Sequence, residues 1–130
     1  MPFRKQRLFI SFDFDNDRIL RGFIVGQAKN PDSPFEIEDW SMKKSAPQKN
    51  WEVEAFNRIN RSDSVLVMVG ASTYKARGVL KEVAMARTLK KQIFQVLGYK
   101  DGDYTAVPGA GLIYKWNWED LKKLFPLVPI

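Results

Sequence analysis

The sequence predicts a single α/β domain: a three-layer open sheet of about five parallel strands with helices on both faces. Three observations predict it. Apolar runs of strand length alternate with segments of helical period along the chain. The third run, Val65 to Val69, is apolar without interruption, as a strand covered on both faces must be. The repeated β-α-β order calls for right-handed crossovers, which leave the strands parallel. Residues 1–130 contain no internal repeat and no low-complexity tract, and 45% hydrophobic residues suffice for one core.

Each element has its own signal. Arg7-Leu-Phe-Ile-Ser-Phe12 is aromatic and β-branched, bounded by a basic segment and an acidic turn, and reads as the first strand. Asp13-Phe-Asp-Asn-Asp17 offers capping side chains for a first helix whose apolar face is Ile19, Leu20, Phe23 and Ile24. Asn30-Pro-Asp-Ser-Pro34 is turn chemistry. Phe35-Glu-Ile-Glu-Asp39 alternates apolar and acidic residues, which suits a short strand near a sheet edge. Trp40 to Lys49 is a basic loop. Asn50 is placed to cap a second helix with Trp51, Ala55, Phe56 and Ile59 inward. Asp63 to Gly70 is the third strand, Ala76 to Lys91 the third helix, and Gln92 to Tyr99 the fourth strand. Gly111 to Tyr114 is a short fifth strand. Asn117 caps a closing helix with Trp118, Leu121, Leu124 and Phe125 inward and Pro126 as its stop.

Composition excludes much chemistry. The chain has no cysteine and no histidine, which removes imidazole bases, thiol nucleophiles, Ser-His-Asp triads and Cys/His zinc sites. Reactivity must rest on carboxylates, hydroxyls, Lys, Arg, Tyr or Trp. Net charge is +6, with basic residues dispersed as Arg4/Lys5/Arg7, Lys43/Lys44, Lys90/Lys91 and Lys122/Lys123. Dispersal fits a solvated surface; the sharper alternative is a phosphate-bearing ligand. No nucleic-acid motif accompanies the charge, so nucleic acid is not an expected partner. No apolar run approaches the ~20 residues of a membrane span. The start Met-Pro-Phe-Arg-Lys-Gln-Arg lacks a signal-peptide core, so the expectation is a cytoplasmic protein with no membrane contact.

Glu82 is the foremost candidate for chemistry. At about 100° per residue, Val79, Ala86 and Leu89 lie along one side of the third helix, and Glu82 falls within their arc. A carboxylate in an apolar stripe, just past the carboxyl end of a central strand, stands where open α/β sheets bind ligands. A helix-dipole partner, or pairing with Lys81 or Arg77, would explain the same residue structurally. Ser72 and Thr73 follow the third strand, as turn formers or as donors to a ligand. Asp13, Asp15 and Asp17 follow the first strand; no acid ends the third strand at Val69-Gly70-Ala71, so neither a metal site nor a phosphoacceptor is expected. Strand alternation should point Phe12 or Phe14 into the cleft. Trp40 could stack on a ring. Gly70 and Gly78 belong to no phosphate-loop pattern.

These residues carry a family resemblance. The Arg7–Phe12 strand and its polar loop resemble the opening Phe-Ile-Ser-Tyr/Phe strand of TIR domains. Phe35 to Ser41 resembles their second strand and Asp63 to Gly70 their third. Gly78-Val-Leu-Lys-Glu82 is similar to the Trp-Val-x-x-Glu segment of NAD-cleaving TIR domains, with Gly78 in place of the tryptophan. The named match is the TIR-like family of the Thoeris antiphage protein ThsB, over about residues 7 to 99. The resemblance implies a flavodoxin-like fold and cleavage or cyclisation of NAD⁺, which is substrate and not cofactor. Glu82 would hold the nicotinamide-ribose hydroxyls and stabilise the oxocarbenium ion. Phe12 and Asp13 would lie beside the substrate, Trp40 would stack, and Ser72 or Thr73 would close the far side. Implied partners are NAD⁺ or a related nucleotide, a second copy through TIR-like surfaces, and an effector protein answering to a nucleotide signal. Two alternatives stand beside this enzyme: a non-catalytic TIR-like assembly module, and an enzyme like the nucleoside deoxyribosyltransferases.

Overall fold

The computed structural model describes residues 2–37 and 50–130. Its central sheet has five parallel strands: β2 (Gln6–Ser11), β3 (Phe35–Ile37), β4 (Ser64–Val69), β5 (Gln92–Leu97) and β6 (Ile113–Tyr114), in the order β3-β2-β4-β5-β6. Among the described residues four helices accompany it: α1 (Ile19–Ala28), α2 (Trp51–Arg61), α3 (Arg77–Thr88) and α4 (Trp118–Leu124). A 3₁₀ turn, Thr73–Lys75, precedes α3. This is the predicted open sheet in the flavodoxin-like strand order.

The period-2 side-chain rule explains the layers. On β2 and just past its end, Leu8, Ile10 and Phe12 face one side, with Leu66 and Met68 of β4, Leu20 and Ile24 of α1, and Leu121 and Phe125 of α4 and its C-cap. Phe9 faces the other side with Val65, Val67 and Val69, under Ala55 and Ile59 of α2 and Val79, Val83 and Ala86 of α3. Every residue of β4 is buried, as its unbroken apolar run requires. The short alternating β3 is an edge strand, as its pattern predicts.

Beyond the sheet, β1 (Phe3–Arg4) pairs antiparallel with β7 (Val128–Pro129), in register Phe3 to Pro129. Two-residue strands carry no periodic signal, and the sequence predicts neither. Arg4 fixes this end of the molecule: its guanidinium donates to both Asp63 carboxylate oxygens, at 2.7 and 3.0 Å, and the Arg7 N–H donates to Asp63 Oδ2 at 2.7 Å. Gln95 anchors the other edge. Fully buried, it donates to the carbonyls of Val107 and Gly111 and accepts from the Val107 N–H, so one amide serves the backbone of the 107–111 loop.

Helix capping divides the expectations. Asn117 caps α4 as predicted, its side chain accepting from the N–H groups of Glu119 and Asp120. Asn50 makes no cap hydrogen bond, because its backbone is already helical (φ −106°, ψ −10°), not extended as a capping geometry requires. The Asp13–Asp17 loop also fails to cap α1: Arg18 occupies the N-cap position, without a side-chain bond. Among the described residues no helix is long and apolar enough to cross a membrane.

Candidate functional site

Chain order reverses between β2 and β4: from β2 the chain crosses outward to β3, then returns to β4 and proceeds the other way. The loops leaving the carboxyl ends of β2 and β4 therefore splay apart, which opens a crevice at this switch point. A cleft of about 760 Å³ lies there. Its walls are the 12–16 loop after β2, the 72–77 segment after β4, the first turns of α3, and Trp51 at the start of α2.

Glu82 forms part of its floor and has no exposed surface. It lies on the buried side of α3 with Val79, Val83 and Ala86, as the helical period predicts. Ser11 sits two residues after Phe9 on β2, so alternation turns it toward α3. Its hydroxyl donates to Glu82 Oε1 at 2.7 Å. A buried carboxyl needs such a bond, because losing water without replacement costs several kcal/mol. Ser11 is a site residue that the sequence analysis missed. Its signal was present: it is the lone hydroxyl inside an apolar strand, on the face turned to α3.

The other candidates separate. Phe12, Asp13, Ser72 and Glu82 all line the cleft. Phe14 lines it too, with its ring 6.0 Å from that of Phe12 and Arg18 stacked 5.0 Å above it, so both aromatics of the rim are used. Asp13 is mostly buried, and its carboxylate accepts from the Asn16 side-chain amide at 2.6 Å, which fixes the loop. Thr73 is fully buried and does not line the cleft. Its hydroxyl accepts from the Gly70 N–H at 2.7 Å, so it shapes the turn after β4. Trp40 lies outside the described residues.

Asp17 does not line the cleft and is held elsewhere. Its Oδ1 accepts from the Tyr99 hydroxyl at 2.7 Å, and a Cβ on Gly70 would stand 2.5 Å from its Oδ2. Glycine at 70 lets that carboxylate pack against the end of β4. This partnership explains why Asp17 does not cap α1. Burial first, and then the hydrogen bond to Asp17, push the Tyr99 pKa up to about 12.

Trp51, Lys75, Arg77 and Lys81 also line the cleft. Lys81 pairs with Glu52 and lies 5.7 Å from the centre of the Trp51 ring. Gly78 leaves open space, since a Cβ there would meet nothing within 4 Å. The resembled motif has an aromatic at 78; here an aromatic, Trp51, lines the same cleft from another helix.

A parallel sheet in this order, with a carboxyl on the helix after its central strand lining the switch-point cleft, is the fold of a TIR-like domain. Within that class, the family described as Thoeris protein ThsB, TIR-like domain, matches residues 9–101, from β2 through the end of β5, and the chain belongs to that family. Comparison with curated proteins gives no match. Family membership supports a Thoeris-type defence protein.

Proposed function

We propose that the chain cleaves or cyclises NAD⁺, releasing nicotinamide and forming an ADP-ribose-type nucleotide that acts as a signal in antiphage defence. The observation that carries this reading is Glu82: a fully buried carboxyl at the floor of the switch-point cleft, held by the Ser11 hydroxyl. The Ser11 bond to Glu82 is of the kind a ribose hydroxyl would make, an O–H donated to a carboxyl oxygen. A substrate ribose joins or replaces Ser11 at that oxygen.

Nicotinamide departs from a positively charged ring, so bond breaking needs no strong general acid, and a protein without histidine can perform it. What the transition state needs is negative charge beside the developing oxocarbenium ion, preorganised where water is scarce. Glu82 supplies that charge. The aromatic rim of Phe12 and Phe14 excludes water and bounds the ring, and the Ser72 hydroxyl stands on the opposite wall. Water attack on the ribose carbon yields ADP-ribose; attack by a nucleophile of the same nucleotide yields a cyclised product.

Mass spectrometry of the products formed from NAD⁺ tests the proposal. Free nicotinamide with either nucleotide product supports it. NAD⁺ left intact at high protein concentration, with or without enforced association, would favour the assembly module instead.

A further inference from the structure

We propose that Lys75 and Arg77 form a diphosphate-holding subsite that selects phosphate-bearing ligands and fixes their direction in the cleft. The proposal rests on the cleft being the ligand site, as the proposed function does. It names the part of the ligand that each wall takes.

The two walls of the cleft differ in charge. The loop after β2 contributes Asp13 and Asp15, and Glu82 lies on the floor; across from them the segment after β4 contributes Lys75 and Arg77. Lys81 lines the same wall, but its ammonium is paired with Glu52. Lys75 and Arg77 are solvent-exposed, and no salt bridge engages either of them among the described residues. The Lys75 ammonium lies over the ring of its neighbour Tyr74, 6.0 Å from the centroid. Gly78 lines the cleft with them, and its missing side chain leaves space that nothing fills within 4 Å. Two cations two residues apart, flanking open space, can contact one anionic group together, and a guanidinium can do so in bidentate fashion.

A ligand with a cationic ring at one end and a diphosphate in its middle then has one favourable direction. Its ring and adjacent ribose meet the acidic wall and Glu82, and its diphosphate meets Lys75 and Arg77. The reverse direction sets the diphosphate against Asp13 and Asp15. Like-charge contact of that kind is a strong discriminator.

The test uses the full chain with both residues changed, Lys75→Ala/Arg77→Ala. A control variant, Lys122→Ala/Lys123→Ala on the far layer, makes the same change in net charge. Binding of inorganic pyrophosphate is measured by calorimetry at low ionic strength, and KM for NAD⁺ is compared with KM for nicotinamide riboside, which has no phosphate. Pyrophosphate affinity should fall roughly tenfold or more in the cleft variant and little in the control, since a hydrogen bond to a charged group contributes about that factor or more. KM for NAD⁺ should rise with kcat nearly unchanged, and that for the riboside should not move. Equal pyrophosphate binding by wild type and cleft variant, or no binding by either, overturns the subsite even if NAD⁺ is cleaved. Pyrophosphate held through Lys75 and Arg77 by a protein that leaves NAD⁺ intact would refute the proposed reaction and leave the subsite standing.

Discussion

The Ser11 hydroxyl donates a 2.7 Å hydrogen bond to Glu82 Oε1, joining two fully buried side chains that lie 71 positions apart. It crosses from β2 to α3 and ties the central layer to the helix that carries the proposed catalytic group. The neighbouring side chains Phe9, Val67, Val79, Val83 and Ala86 are apolar, and this bond helps hold Glu82 in its orientation.

Ser11→Ala removes the donor and leaves Oε1 short of a partner in a buried place. The expected loss is about 1–3 kcal/mol of stability, larger than an exposed serine would show. Urea unfolding checks it, and Ser11→Ala should be the more damaging change when set beside Ser72→Ala. Equal, small effects for the two would mean that the bond does not hold Glu82.

Tyr99 predicts an alkaline weakness. Its pKa is pushed up to about 12 by burial, then by the hydrogen bond and charge of Asp17, with Asp13 adding to it. Unfolded tyrosine ionises near pH ~10, so the folded state keeps the proton more tightly. That contribution is complete below about pH 10 and drains away as pH rises toward about 12. Thermal unfolding across this range should fall more steeply for wild type than for Tyr99→Phe, and parallel curves would contradict the assignment.

Asp63 predicts the opposite dependence. The Arg4 guanidinium holds its carboxyl below the usual range, against the effect of desolvation and with help from the Arg7 N–H. A carboxyl depressed on folding contributes stability above its unfolded value, about 3.9, and loses that contribution as pH falls through the folded value. Asp63→Asn should therefore unfold below wild type at neutral pH, with the gap closing in acid. A gap that stays constant down through the carboxylate range would rule out the ion pair as its source.

What could be read from the sequence was what depends on period and local chemistry. Glu82 inside an apolar arc, the unbroken β4, the short edge strand β3 and the Asn117 cap all follow from neighbours within a few residues. Ser11 was within reach by strand alternation, given Phe9 as reference. Trp51 was not: its period marks an inward face of α2 but says nothing about which crevice that face meets. The capping expected from the Asp13–Asp17 segment does not occur, and the partner that holds Asp17, Tyr99, lies 82 positions away, a contact that exists only once the sheet is assembled. The β1–β7 pair is invisible for the same reason, since it joins the two ends of the chain.

The most direct measurement compares nicotinamide release from NAD⁺ by wild type and Glu82→Gln at matched high concentration, with the circular dichroism of both recorded. Glutamine keeps the shape and can still accept from Ser11, while the charge beside the oxocarbenium ion is gone. The account predicts a folded variant with kcat lower by about 10²-fold or more, the scale on which preorganised electrostatic groups act. A folded Glu82→Gln protein that releases nicotinamide as fast as wild type would contradict it.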